Sequence, residues 1–477
     1  MRFDELFEGI PCRHAVQSNR DTAGLEIARV ITSAADGAAD ALYVAVPNAF
    51  CDGLQGAYAA YAAGCRLFLC SNDISPGEDA TVLLCDEPLR HLGELSARAA
   101  GYPARGMSVI GIVGDAGKTS VCLLLREILE RAGRRVGLLT SDGIYCAGEF
   151  TPREALVPNA ADVQRTLQRM AAQNTEVAVL ELSRYQLAHL AANGIPFVAT
   201  ALTSLLAAEL PQAEQDAVVE FMRQSAAFSV MSVGCEVRSS ARRVLYLGDG
   251  GDFCATEREC FSAPVIGCGT RFLLREGDTA LPVTLQIPGE YAVENALLAA
   301  ALARILGVEL QKIAQALSAA HIKGRLECVA ARADRLVYID AAYTPGALQR
   351  VLCTLREITK NRLCVLLGSV GGRAMERRAE LGRVAGEFAD FVYLTSDDPD
   401  AEDPTKICAD MLEGVREIDR TCVIPSRRDA IARAVRELRP GDVLLLAGKG
   451  ADEFHLVGGV RHPFCEAQIV REVLAEL

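Results

Sequence analysis

The stretch SVIGIVGDAGKTSVCLLLREILERAG, Ser108 to Gly133, runs from a compact apolar strand through a glycine loop into residues whose apolar positions recur at helical spacing. A buried strand feeding a helix must return to a parallel neighbour by a crossover, so the fold is constrained to a doubly wound parallel sheet. The loop reads G-x-x-G-K-T from Gly114 to Thr119, shorter than the Walker pattern G-x-x-x-x-G-K-[ST], whose first glycine would fall on Ile112. The physics still suits an anion. Amides of Gly114, Asp115, Ala116 and Gly117 and the helix N-terminus can face phosphate, Lys118 can reach the outer phosphates, and Thr119 or Ser120 can ligate Mg²⁺. A loop this short also occurs as an ordinary helix start; the strand before and the helix after favour nucleotide.

The same alternation extends along the chain. Residues 1–106 mix short strands (ALYVAVP, RLFLC, TVLLC) with alanine-rich helical stretches and close on the turn-like GYPARG. From 107 to 322 the phosphate loop is followed by the strands RRVGLLT and EVAVLELS, the latter ending near Glu181. A β-rich region then spans about 230–290, before the long helical pattern GEYAVENALLAAALARILGV. From 323 to 477 four apolar strands (LVYIDAAYTP, RLCVLLGSVGGR, DFVYLTSDDP, DVLLLAGKG) each lead into a loop, as in a Rossmann-like sheet that binds ligands beyond its carboxyl strand ends. The expectation is an α/β chain of three domains: a small N-terminal α/β domain, a central nucleotide-binding doubly wound sheet and a C-terminal Rossmann-like domain.

Bulk properties narrow the function classes. A chain of 477 residues is too long for one core. A formal charge of −13 argues against a broad nucleic-acid surface, and no apolar run is long enough for a membrane span. The 17 cysteines are scattered without a C-x-x-C pair and read as reduced core thiols; the six histidines form no zinc-like cluster. The opening MRFDELFEGIPC does not read as a signal peptide, so a cytoplasmic location is expected.

Seven motifs in order resemble the Mur ligase family of peptidoglycan synthesis, in particular the branch that adds the third residue to UDP-N-acetylmuramoyl-dipeptide. GDAGKTS matches the family's G-T-N-G-K-T-T. LELSRYQL matches its E-x-S element and is equally similar to that of the branch adding the second residue. GEYAVEN matches G-x-F-N-x-x-N, GRLE matches G-R-M-E, DAAYTP matches D-Y-A-H-T-P, SDDPDAEDP matches S-D-N-P-R-x-E-D-P, and AGKGADE matches A-G-K-G-H-E. The resemblance implies an ATP-dependent ligase that joins a carboxylate to an amine through an acyl phosphate, with ATP and Mg²⁺ as cofactors. It also implies a UDP-muramoyl peptide or related acceptor and an amino acid as partners, with residues 1–106 resembling the UDP-sugar-binding domain. It assigns Lys118 and the loop amides to the phosphates, Thr119 and Glu181 to the metal, and Arg325 and Asp340 to the nucleotide. Arg373, Asp397, Asp398, Asp400, Lys449 and Glu453 fall on the substrate side.

The resemblance is divergent. Leu206 stands where a histidine of the second metal is usual and Ala201 where an asparagine is usual, and the carbamylated lysine falls near Ser225. The acceptor-side motifs read LVP at Leu156 to Pro158 and SAA at Ser33 to Ala35, so poor use of UDP-N-acetylmuramoyl-dipeptide is expected. Tyr343 replaces a histidine and Ala292 an adenine-side asparagine. Asp115 adds a like charge beside the expected triphosphate, unfavourable unless metal or Lys118 compensates. Asp400 replaces the arginine that grips the distal carboxylate of diaminopimelate and could pair instead with a terminal ammonium, or be an ordinary acidic turn. Arg373, Arg377 and Arg378 in GGRAMERR could bind phosphate or carboxylate, with at least one on a solvated helix face. Two other readings stay open: a catalytically impaired nucleotide-binding paralogue with a regulatory role, and a ligase of another acceptor, as in folylpolyglutamate synthases.

Overall fold

Alternation within the strands explains why both faces of the first sheet are covered. In the computed structural model, which describes residues 1–477 other than 17, 20, 23, 47–52, 153–157, 205–211, 225, 236, 264–266 and 333–334, the chain divides into two units. One comprises Met1–Cys122 with Leu129–Tyr246, the other Leu123–Ile128 with Leu247–Leu477.

In the first unit, the strands Arg29–Ile31, Ala41–Val44, Leu67–Cys70 and Thr81–Leu84 run parallel, and Arg13–His14 adds an antiparallel edge. Leu42, Val44, Leu67, Leu69 and Leu83 face one side with Leu92 and Leu95 of the helix Pro88–Ala99. Tyr43, Phe68, Cys70 and Val82 face the other with Ala57 and Ala60 of the helix Gly53–Ala62. Side chains alternate with period two, so strands buried on both faces must be apolar, as the central Ala41–Val44 and Leu67–Cys70 are throughout.

The same unit contains the sheet of the phosphate loop. Its parallel strands lie in the order Phe228–Ser232, Phe197–Leu202, Ser108–Val113, Val177–Glu181, Val136–Leu139. The hairpin Gly143–Cys146 and Glu149–Pro152, which no sequence signal had marked, extends it antiparallel. The helix Lys118–Arg131 is the crossover from the strand Ser108–Val113 to Val136–Leu139. The helix Ala160–Ala172 starts at an Asn159 cap, whose Nδ2 donates to Thr32 Oγ1 at 2.6 Å.

In the second unit, the expected β-rich region is an antiparallel meander, Phe253–Ala263, Gly267–Glu276 and Thr279–Leu285. The helix Glu290–Ile305 follows; it is apolar on nearly every side and correspondingly buried. A six-stranded sheet then runs Glu327–Arg332, Arg335–Asp340, Val443–Ala447, Leu363–Leu367, Phe391–Leu394, Thr421–Val423, parallel except for its first pair. The four apolar strands read from the sequence are its centre. The short edge strand Thr421–Val423 and the hairpin Phe454–Val457 with Val460–Pro463 were not legible. The described cysteines are all free thiols, and among the described residues no helix is long and apolar enough to cross a membrane.

Candidate active site

Strand register builds the phosphate-loop site. Glu181 pairs with Ile112 and Leu202 with Val113, so the residues after each strand converge at the mouth of the loop. Leu139 pairs with Leu180, which brings Thr140 and Ser141 to the same place. Thr119 Oγ1 donates to Glu181 Oε2 at 2.8 Å, and the Ser141 amide donates to the same oxygen at 3.0 Å. Thr119 and Glu181 are buried. A hydroxyl and a carboxylate oxygen so placed are hard donors of the kind magnesium takes. Gly114 has φ +129° and Gly117 φ +85°, and a Cβ on Gly114 would overlap Thr203 Oγ1, so glycine is required there. Lys118 Nζ lies 3.2 Å from the Asp115 carbonyl oxygen, and Ser120 continues the first turn of the helix.

Two expectations about this loop are revised. Not all of its amides face outward: the Asp115 amide donates to the Ser204 carbonyl at 2.9 Å, and the Ala116 amide to Ser204 Oγ at 3.4 Å. Nor does Asp115 depend on metal or Lys118 for compensation. Its Oδ1 lies 2.9 Å from Arg184 Nε, with side-chain exposures of 6% for Asp115 and 17% for Arg184. Arg184 follows Ser183, whose hydroxyl and amide form a reciprocal cap with Gln186 and start the helix Arg184–Ala188. Sequence reasoning missed Ser141, Arg184, Thr203 and Ser204. Only Arg184 had a signal, since an acid inside a phosphate loop calls for a nearby cation.

The second unit gathers its own motifs at the carboxyl ends of the six-stranded sheet. Asp340 Oδ2 accepts from the Leu326 amide at 2.8 Å, and Leu326 has φ +44°. The Ala341 amide donates to the Gly324 carbonyl at 3.1 Å, and the Gly448 amide to the Asp340 carbonyl at 2.9 Å. GRLE, DAAY and AGKG are thus one knot, and the Arg325 side chain lies against it, its Nη1 3.3 Å from the Gly324 carbonyl.

The expected substrate-side residues separate into two groups. Lys449 is 3% exposed, and its Nζ lies 3.1 Å from Asp397 Oδ1 and 2.7 Å from Asp398 Oδ1. Burial works to raise Asp397, but the charges of Lys449 and Arg427 outweigh it and hold the carboxyl below its ordinary value. Burial likewise opposes the Lys449 charge, yet Asp397 and Asp398 keep its pKa above the ordinary lysine value. This differs from the substrate-facing role expected of the three: their charges are satisfied within the protein. Arg427, absent from the sequence reading, is buried against Glu466 at 2.7 Å beside them. Asp400 has φ +51° and its Oδ1 accepts from the Gly459 amide at 2.6 Å, so it is the turn-forming acid, tying its loop to the terminal hairpin.

Of the three arginines in GGRAMERR, Arg378 is fully buried and bonded to Glu402 and Asp410, each at 2.7 Å. Arg377 stacks over Tyr343 at 5.3 Å, where burial lowers its pKa. Arg373 is exposed. Glu453 is exposed and paired with Lys323 at 2.6 Å. Ala201 and Ala292 are buried. Leu156, Leu206 and Ser225 lie outside the described residues. Ser33 caps the short turn Ala34–Asp36.

Comparison with known proteins agrees with this arrangement. The model for the Mur ligase middle domain matches residues 112–210, and that for the Mur ligase, glutamate ligase domain matches residues 324–450. The chain is 31% identical to the UDP-N-acetylmuramoyl-L-alanyl-D-glutamate–2,6-diaminopimelate ligase of Corynebacterium glutamicum, over 98% of this chain and 94% of that protein. A solved structure of a ligase of the same name superposes with a TM-score of 0.65 at 24% identity, covering 94% of this chain and 95% of that one. The MurF ligase from Thermotoga maritima in complex with ADP gives a TM-score of 0.61 at 17% identity, with coverage of 95% and 98%. Nothing in these comparisons favours the catalytically impaired alternative. With the loop, the carboxylate at its mouth and the C-terminal motifs in place, and with a relative at 31% identity across nearly its whole length, the chain belongs to the Mur ligase family of ATP-dependent ligases of peptidoglycan precursor synthesis.

Proposed function

We propose that this protein uses ATP to join the carboxylate of a UDP-muramoyl peptide or related acceptor to the amine of an amino acid, in the cytoplasm, through an acyl phosphate. The observation that carries the reading is the Gly114–Thr119 loop with Glu181 and Ser141 at its mouth. The ADP in the Thermotoga structure supports the choice of nucleotide, and the name of the Corynebacterium relative supports the class of acceptor.

In this reaction a carboxylate oxygen attacks the γ-phosphorus and ADP departs. The amine nitrogen then attacks the acyl carbon, the C–O bond breaks to release phosphate, and the nitrogen loses a proton. Two anions must meet in the first step, so fixed positive charge is the main requirement. Lys118, at the start of its helix, holds the outer phosphates, and the glycine turn fixes their approach. Thr119 and Glu181 fit Mg²⁺, with Ser141 orienting the carboxylate; when bound, the ion neutralises phosphate charge. Arg325 is assigned to the nucleotide, while Asp340 supports it by fixing the backbone at Leu326. Three domains, 1–106, 107–322 and 323–477, belong to the same proposal, supported by the five-stranded and six-stranded sheets each falling within one of these segments.

The test is ADP and phosphate release by purified protein with UDP-muramoyl peptides and a panel of amino acids. Release that requires both acceptor and amine is expected, and Lys118→Ala should weaken ATP binding at least tenfold, since a charge-assisted contact contributes about 1.5 to 3 kcal/mol. Absence of nucleotide binding, or ADP release indifferent to every acceptor, would overturn the reading.

A further inference from the structure

We propose that Arg184 is an anion-binding residue of the phosphoryl-transfer site, held in place by Asp115. This deepens the ligase reading above and rests on it. The guanidinium lies against Asp115 as an ion pair, its Nε 2.9 Å from Asp115 Oδ1 though not aligned for a hydrogen bond to that oxygen, and both side chains are largely withdrawn from solvent. An ion pair with so little solvent loses hydration on both sides, and its attraction returns that cost only when the remaining donors are also satisfied. They are not: Arg184 Nη1 is buried and meets no hydrogen-bond acceptor among the described residues. Buried donors are rarely left unmatched in a native protein, and a guanidinium has no acceptor capacity and no neutral form with which to escape. The acceptor that fits is an anionic oxygen brought by a ligand.

Position says which ligand. Arg184 lies three residues beyond Glu181 and is fixed by the Ser183–Gln186 cap. Its carboxylate partner belongs to the phosphate loop, and the carbonyl of that same Asp115 receives Lys118 Nζ at 3.2 Å. The two cations are therefore tethered to one loop residue, the lysine to its backbone and the arginine to its side chain. A phosphate on this loop has both within the same small site. The sequence shows why a second cation would matter, since leucine and serine stand at Leu206 and Ser225 where the resemblance places a metal-associated histidine and a carbamylated lysine. Arginine supplies positive charge without a metal, and its planar fork suits phosphate oxygens. Asp115, an acid that seemed misplaced in a phosphate loop, becomes the positioning residue that aims this fork.

The role predicts a difference between nucleotides that a merely structural pair would not produce. Binding of ADP and of an ATP analogue with a non-hydrolysable β,γ-methylene bridge is measured by calorimetry with Mg²⁺ on the full chain, for wild type, Arg184→Gln, Arg184→Lys and Asp115→Asn. Arg184→Gln is expected to weaken the analogue tenfold or more and ADP less than threefold. Arg184→Lys should recover part of the loss, and Asp115→Asn should fall between wild type and Arg184→Gln. Thermal unfolding without nucleotide checks the fold, and if Arg184→Gln does not fold, the ratio for Arg184→Lys decides. Equal losses for both nucleotides, or none, would overturn the role of Arg184 while leaving the ligase reading intact. A wild-type chain that binds neither nucleotide would overturn both.

Discussion

The hydroxyl of Thr119 and the carboxylate of Glu181, 62 positions apart in sequence, are 2.8 Å apart in the fold. They meet because the strand Val177–Glu181 pairs in parallel with Ser108–Val113, and the phosphate loop turns back over the end of both. If this pair holds the metal, Glu181→Gln should abolish most of the gain in nucleotide affinity that Mg²⁺ provides. At least a tenfold loss is expected, about 1.4 kcal/mol. Titrations with and without Mg²⁺ measure it, and an unchanged magnesium increment would remove Glu181 from the metal site.

Gly114 tests the loop itself. Its φ of +129° and the closeness of Thr203 leave no room for a side chain. Gly114→Ala should destabilise the chain by about 1 to 3 kcal/mol and impair nucleotide binding, because the loop must shift to admit the methyl group. Denaturant unfolding and calorimetry report the two effects separately.

Lys449 tests the assignment of Asp397 and Asp398 to the interior. Lys449→Met removes the cation that contacts both buried carboxylates and leaves only the more distant charge of Arg427, and a loss of about 3 to 5 kcal/mol is expected. The pH dependence follows from the shifts. Asp397 sits below its ordinary 3.8 in the fold, so its stabilising share is present above that value and is lost as pH falls through the lower folded pKa. Lys449 is raised above 10.5, so its share is present below that pH and is lost as pH rises through the folded value. Removing Lys449 should flatten both limbs in a stability profile. A variant as stable as wild type would show the cluster to be open to solvent.

Glu402 gives a narrower window. Its hydrogen bond to Arg378 lowers its pKa from 4.5 to about 2, helped by the Gly372 amide. Its contribution is complete above pH 4.5 and disappears as pH falls toward 2. Glu402→Gln should therefore be less stable than wild type at pH 7 and lose less on acidification, as followed by circular dichroism.

Asp400 separates its turn role from amino-acid selection. With its carboxylate bonded to the Gly459 amide and its backbone at φ +51°, Asp400→Asn should be nearly neutral, and Asp400→Ala should cost about 1 to 2 kcal/mol. Neither should alter the preference among lysine, ornithine and diaminopimelate in an ADP-release assay. A shift toward diaminopimelate on Asp400→Arg would instead return this residue to the amino-acid pocket.

The sequence by itself determined the layers and the order of the motifs. Runs such as VIGIV, VLLLA and LCVLL are apolar at every position, which only a strand buried on both faces requires, and Gly114 and Gly117 announce a turn that other residues cannot make. These signals lie in contiguous residues, so they can be read locally. The tertiary structure alone decided which charges meet. Asp115 looked like a repulsive neighbour of phosphate until register brought Arg184 beside it, and Asp397, Asp398 and Asp400, placed on the substrate side by the resemblance, are held within the protein by Lys449 and the Gly459 amide. An ion pair depends on distance in space and on what water is excluded, and neither is set until strands distant in sequence take their neighbours.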